Sequence, residues 1–314
     1  MRGTWGRLMA GGMALCWAQG VMAACNPGGV TVSQISAPTI ADWNPMVAND
    51  AESTNFNITL TRGASNPNNI DFATIYFTDP DSATSLRVGA LSGFAGPVYT
   101  IKSGSSDIVF ASGVTPSNPL RFDFASGNNQ NQLAKSATFA VDGNNNASAD
   151  YTSGTYTETL NYTVQCYKGN GANITSQGSV TGSLTINVTI PNRLSVITAG
   201  PQTINFGSFT TTAQSLAISL KSTGAINASL STENGNQMVL TGAQTPVPAN
   251  STIPYSMAFD GQNVPANGAS LNNLSRAGVG GGNKALVLTL PALPSGKLAG
   301  TYKDVITLTL SPGT

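Results

Sequence analysis

The 314-residue chain contains no histidine, and only 9% of it is charged, with 14 basic residues against 14 acidic ones. Losing histidine removes the commonest general base and the commonest metal ligand together. So balanced and sparse a charge leaves no basic stripe for nucleic acid and no acidic tail. Cysteine is scarce, with 3 residues. No apolar run reaches the roughly 20 residues that cross a bilayer, and no segment after Ala24 sustains a helical period. What remains is rich in Asn, Ser, Thr and Gly, with Val, Ile and Thr in short runs. That is the usual composition of an all-β extracellular protein.

The N-terminus names the compartment. Arg2 and Arg7 form a positive region, Leu8 to Ala18 a short apolar stretch, and Val21-Met22-Ala23 a small-residue cleavage site. Residues 1–23 are expected to be a signal peptide, with a secreted chain beginning at Ala24. Cys16 leaves with the signal, so Cys25 and Cys166 remain. In an oxidising compartment two cysteines most simply form one disulfide. Closing so long a loop stabilises by roughly 4–5 kcal/mol on the chain-entropy model. A rival reading lipidates Cys25, because Met22-Ala23-Ala24-Cys25 loosely resembles a lipobox; it leaves Cys166 without a partner.

Short alternating segments follow along the whole chain. Phe56-Asn57-Ile58-Thr59-Leu60 alternates apolar and polar as a half-buried strand does. Ile75-Tyr76-Phe77, Ile108-Val109-Phe110, Phe122-Asp123-Phe124 and Thr138 to Val141 are further strand candidates, punctuated by Asp79-Pro80, Ser103-Gly104 and Ser126-Gly127 turns. Pro191-Asn192-Arg193 interrupts the pattern, since proline ends a strand. The expected division is residues 24–190, a linker at 191–193, and a second domain over 194–314.

One pattern occurs twice: Gly154-Thr155-Tyr156-Thr157-Glu158-Thr159 and Gly300-Thr301-Tyr302-Lys303-Asp304-Val305. Each copy leads into an alternating β-run. Phe139-Ala140-Val141-Asp142-Gly143 is echoed by Met257-Ala258-Phe259-Asp260-Gly261, which reads as a second trace of duplication. After the first Gly-Thr-Tyr, the segment Val180 to Ile190 supplies another long strand with one apolar face. After the second, Ile306, Leu308 and Leu310 form an apolar face and only Ser311 to Thr314 follow. The expectation is two immunoglobulin-like β-sandwich domains in tandem, the second lacking its final strand. Such a domain leaves an apolar groove at Ile306, Leu308 and Leu310 and an unpaired edge that a partner strand covers.

At these residues the chain resembles the spore coat protein U family, which includes subunits of archaic (Csu-type) chaperone–usher pili. The family's closing signature is similar to Gly300 to Leu310, with Lys303 where a small hydroxyl residue is commoner. Gly154 to Val164 matches with Glu158 in the acidic place. Ala41-Asp42-Trp43-Asn44-Pro45 resembles the family's early turn, with Trp43 and Asn44 as departures, and Asn205 to Phe209 resembles the same turn without its proline. The resemblance implies a pilus tip adhesin with an outward first domain that binds a surface and a second domain that accepts a donor strand. It implies a periplasmic chaperone, an outer-membrane usher and an adjacent pilin as partners, a host or abiotic surface as target, a place at the cell surface, and a role in biofilm formation. With Ala24-Cys25-Asn26-Pro27 opening the secreted chain, the expected subunit accepts a strand and donates none.

Candidate chemistry is thin. Gly278-Val279-Gly280-Gly281-Gly282-Asn283-Lys284 lacks the Lys-Ser/Thr pair of a phosphate loop and reads as a flexible hairpin. Asp79-Pro80-Asp81 reads as a polar turn, since calcium takes six to eight oxygens. No catalytic constellation, cofactor site or metal site emerges, and the chain reads as a non-enzyme. For binding, the Gly- and Pro-framed segment Val88 to Tyr99 offers Leu91, Phe94 and Val98. Val114 to Leu120 is a second candidate, and Trp43 with Met46 and Val47 a third. Exposed apolar tips bind by burying area, at about 25 cal/mol per Å²; the alternative is that the same residues cap the core. Two other classes stay open: a structural coat or fibre protein without a receptor, and a monomeric secreted lectin-like module.

Overall fold

A computed structural model describes residues 25, 29–63, 70–82, 86–124, 132–143, 149–169, 171–198, 200–209, 212–292 and 295–313. The signal peptide expected at 1–23 and the Ser126-Gly127 turn lie outside them. Among the described residues there is no α-helix; one 3-10 turn at Ala249–Ser251 interrupts an otherwise all-β chain.

Eleven strands build the first domain: β1 Val30–Ile35, β2 Thr39–Ile40, β3 Glu52–Arg62, β4 Phe72–Asp79, β5 Tyr99–Ser103, β6 Ser106–Asp107, β7 Val109–Ala111, β8 Leu120–Asp123, β9 Gln132–Val141, β10 Gly154–Lys168 and β11 Thr175–Ile190. They form two sheets, ordered β1-β3-β9-β5-β6 and β2-β11-β10-β4-β7, with β8 on the edge of β4. This is an immunoglobulin-like sandwich, with a five-stranded sheet facing a six-stranded one and the last strand, β11, within the second sheet. The long β10–β11 hairpin runs in register from Gly154↔Ile190 to Lys168↔Thr175, with one irregularity near Gln165. Alternation along it is regular: Tyr156, Leu160, Val164, Leu184, Ile186 and Val188 point into one core. Cys25 and Cys166 are joined by a disulfide, their Cα atoms 5.9 Å apart, within the usual span. It fastens the chain ahead of β1 to the middle of the second sheet.

The second domain contains β12 Leu194–Val196, β13 Ala213–Ser222, β14 Ile226–Thr232, β15 Gln237–Leu240, β16 Thr252–Pro254, β17 Ser256–Phe259, β18 Gln262–Val264, β19 Ala269–Leu274, β20 Gly278–Thr289, β21 Tyr302–Lys303 and β22 Ile306–Pro312. The sheet β12-β13-β20-β17-β18 repeats β1-β3-β9-β5-β6 strand for strand. The opposite layer is divided into β19-β14-β22 and β16-β15-β21. A separate core gathers Phe206, Leu220, Leu230, Met257, Phe259, Leu286 and Leu288.

The duplicated Gly-Thr-Tyr segments adopt the same local structure. Gly154 and Gly300 have φ of 132° and 148°, and a Cβ there would lie 2.7 Å from Leu91 and 2.5 Å from Leu240. Each tyrosine hydroxyl bonds back to the carbonyl four residues upstream, Tyr156 to Thr152 at 3.3 Å and Tyr302 to Leu298 at 2.7 Å, as in a tyrosine corner. Each acidic residue accepts from the following amide at 2.8 Å, Glu158 from Thr159 and Asp304 from Val305. The second echo is a coincidence of sequence. Phe139 to Val141 ends β9, whereas Met257 to Phe259 lies in β17, whose counterpart is β5. The glycine-rich segment 278–284 is the first half of β20 and not a hairpin; Leu220 pairs with Gly282, and Lys284 is buried against Asp260 at 2.6 Å.

The segment 191–193, between β11 and β12, is tied on both sides. Thr223 Oγ1 donates to the Pro191 carbonyl and accepts from the Arg193 amide, while Arg193 pairs with Asp42. Arg276, just past β19, reaches back to Asp150 and the Tyr151 carbonyl and lies 4.2 Å over the Phe94 ring. Val279 of β20 is buried with the core of the first domain.

Candidate functional site: an open groove in the second domain

The two domains differ at one edge. In the first, β10 is paired on both sides, by β4 and by β11, and β11 in turn pairs in parallel with β2 through Asn187↔Thr39 and Val188↔Ile40. In the second, β22 pairs with β14 from Ile306↔Thr232 to Pro312↔Ile226, and no described strand pairs with its other edge. The segment 201–206, which lies between β12 and β13 as β2 lies between β1 and β3, belongs to no strand and lines the same cavity as β22. Among the described residues, no strand lies between them.

Between them lies a cavity of about 720 Å³. Ile306, Leu308 and Leu310 line one side and Ile204 and Phe206 the other, while Leu216, Ile218, Leu286 and Leu288 project from β13 and β20 to form its floor. The sequence builds this by period-two alternation in all three strands, which sends every second apolar side chain inward. In the first domain the positions matching Ile306 and Leu310 are Leu160 and Val164, each 0% exposed and paired with β11 at Leu184 and Val180. Their counterparts here are only half-buried. An apolar trough flanked by unpaired backbone is the geometry that β-strand addition uses.

The carboxylate of the groove lining is Asp304, just before β22. Asp304 Oδ1 accepts from the Asn234 amide and side chain at 3.1 Å and from the Val305 amide, and Oδ2 accepts from the Tyr255 hydroxyl at 2.6 Å. Burial, with the adjacent Asp304 carboxylate, pushes the Tyr255 hydroxyl far above the ordinary tyrosine range. This carboxylate is saturated by donors of its own chain, so it fixes the bend between β21 and β22. Among the described residues, no group of three or more Cys, Asp or Glu side chains is arranged to hold a metal.

The structure separates the surface-binding candidates. Trp43 is 2% exposed, its ring edge-on to Tyr151 and its indole N–H donated to the Asp50 carbonyl at 2.9 Å. Leu120 is buried too, within β8. Both are corrections: large apolar side chains at these positions complete the core and offer nothing to a surface. Leu91 packs on the first core and Phe94 lies beneath Arg276 at the domain junction; Val98 is half-buried beside them. Val114 is 50% exposed on the turn after β7. Sequence reasoning missed the other side of the groove, Ile204, and its floor, Leu216, Ile218, Leu286 and Leu288; for the four floor residues, strict alternation within β13 and β20 was the available signal. It also missed Ile174, 43% exposed in the β10–β11 turn.

No family model and no curated protein matches the sequence. Among solved structures, the chain is similar to the chaperone–tip adhesion subunit pre-assembly complex of the archaic Csu pili of Acinetobacter baumannii. The identity is 12% and the TM-score 0.38, over 90% of this chain and 99% of that one. It is similar to the adhesive subunit of CFA/I fimbria of enterotoxigenic Escherichia coli, at 12% identity and TM-score 0.41 over 90% and 94% of the two chains. It is also similar to the CupB6 tip adhesin from Pseudomonas aeruginosa, at 8% identity and TM-score 0.37 over 90% and 93%.

Proposed function

We propose that this protein is a tip adhesin of a chaperone–usher pilus, built from domains of the spore coat protein U type. The first domain faces outward and attaches to a host or abiotic surface, promoting biofilm formation. The second joins the fibre by taking an apolar strand from the adjacent pilin into the groove between β22 and residues 201–206. Before assembly a periplasmic chaperone fills the same groove, and an outer-membrane usher exchanges one occupant for the other.

The contrast between β10 and β22 carries this reading. One copy of the fold holds its last strand within itself and the other leaves that place open. An unpaired edge beside an apolar trough is an aggregation hazard for a free subunit. A subunit that holds a strand from a partner loses the hazard and gains a joint. Appending an alternating apolar strand to the chain through a flexible linker tests this. The appended protein is expected to be soluble and to unfold at a higher temperature than the unappended chain. Equal solubility and equal unfolding temperature would contradict the proposal.

A further inference from the structure

The first domain contains a worked example of how its own groove is filled, and one position breaks the analogy. Counting from the paired tyrosines Tyr156 and Tyr302, Leu160 corresponds to Ile306, Tyr162 to Leu308 and Val164 to Leu310. On β11 these three face Leu184, Gly182 and Val180. Leu184 and Val180 are ordinary apolar fillers. Gly182 is different, because a Cβ there would fall 2.2 Å from the Tyr162 hydroxyl oxygen and 2.3 Å from its ring carbon. The tyrosine ring lies across the glycine and occupies the side-chain space that the partner strand leaves vacant, a cross-strand rescue of glycine. Its ring edge then meets Phe77 at 6.4 Å.

In the second domain the same place carries Leu308, which lines the open cavity. Leucine is shorter than tyrosine and branched near the backbone, so it cannot extend across a facing glycine in that way. Building on the strand-accepting reading, we infer that Leu308 sets a specificity rule. The incoming strand runs antiparallel to β22 and parallel to residues 203–206. It carries apolar residues opposite Ile306 and Leu310, and a large apolar residue opposite Leu308 where β11 has glycine. The rule follows from packing: a glycine there leaves a void next to Leu308, and voids in apolar interiors are costly. It has a second consequence. β11 lies in the same chain and has the right alternation for either groove, so it is the nearest wrong occupant. Gly182 makes it fit Tyr162 and misfit Leu308, which keeps the two domains from exchanging strands.

Three labelled synthetic peptides test the rule on the intact secreted chain: residues 179–190 as they stand, and the same peptide with Gly182→Ala or Gly182→Leu. Fluorescence anisotropy reads affinity. The Leu peptide is expected to bind about tenfold or more tightly than the Gly peptide, with Ala between them. In a chain carrying Leu308→Tyr, the order is expected to reverse. Should that variant fail to fold, the graded series on the unaltered chain decides alone. Equal affinities for all three peptides, or preference for glycine, would overturn the rule while leaving the strand-accepting reading intact. No binding by any peptide would overturn that reading, and the rule with it.

Discussion

The side-chain amide of Asn192 donates to the Gly313 carbonyl at 2.7 Å and to the Ala225 carbonyl at 3.1 Å. One linker residue thus joins the end of β22 to the chain entering β14, the two strands whose pairing supports the groove. The Gly313 amide closes the same junction on the Ala225 carbonyl at 2.7 Å. Asn192→Ala removes a donor from two carbonyls at once. It is expected to destabilise the second domain by about 1–3 kcal/mol, read as a lower denaturation midpoint of the strand-appended protein.

Arg276 and Asp150 form the other clasp between the domains. Burial alone would raise the Asp150 carboxyl, but hydrogen bonds from Arg276 and the Val279 amide, with the guanidinium charge, hold it below the usual carboxylate range. A lowered folded pKa gives stability that is present above the ordinary aspartate value and lost as pH falls through the lowered one. Asp150→Asn is therefore expected to lower the melting temperature at neutral pH. The gap from the unaltered chain should close on acidification below pH about 4. A gap independent of pH would show that the carboxylate's charge contributes nothing at this junction.

Glu158 behaves in the opposite sense. Burial raises its pKa, the Thr159 amide offsets part of that, and the charges of Asp79 and Asp81 raise it further. The native state then holds a proton that the unfolded chain releases, so stability falls as pH rises from the ordinary glutamate value through the raised one. Glu158→Gln keeps an acceptor for the Thr159 amide and carries no charge. It is expected to be at least as stable as the unaltered chain at neutral pH and to flatten the fall of the unfolding midpoint as pH rises above the ordinary glutamate range.

Attachment is expected to depend on apolar residues that the first domain leaves open. Val114 is one; Ile174 is another, in the turn after the 15-residue β10, which begins beside the second domain and carries that turn roughly 50 Å away. Replacing both with Ser is expected to reduce attachment of piliated cells several-fold while leaving pilus assembly unchanged. Replacing Phe94 is expected to act differently, by loosening the Arg276 contact and lowering thermal stability. Unchanged attachment by the double variant would move the binding surface elsewhere on the first domain.

The sandwich class was legible because period-two alternation and turn residues dictate it locally. The position of the groove was legible for the same reason: Ile306, Leu308 and Leu310 alternate on one face, and the tyrosine motif marks the strand they belong to. The floor was not, since alternation shows that Leu216 and Leu288 point inward but nothing local says that they face a strand eighteen or more residues away in sequence. Trp43 and Leu120 misled for a related reason. A large apolar residue next to a proline or a turn looks the same in sequence whether it caps a core or protrudes; only the packing of Tyr151 against Trp43 distinguishes the two. The Phe139 and Met257 echo failed because a five-residue likeness carries no strand order, and strand order is what a duplication preserves.

Amide hydrogen exchange across β22 tests the central claim most directly. Without a donor strand, alternate amides between Ile306 and Leu310 have no partner on the open edge and are expected to exchange fast, while the matching amides of β10, paired on both sides, stay protected. Adding an apolar donor peptide is expected to slow the β22 amides by orders of magnitude and leave β10 unchanged. Full protection of every β22 amide before any strand is added would contradict the account.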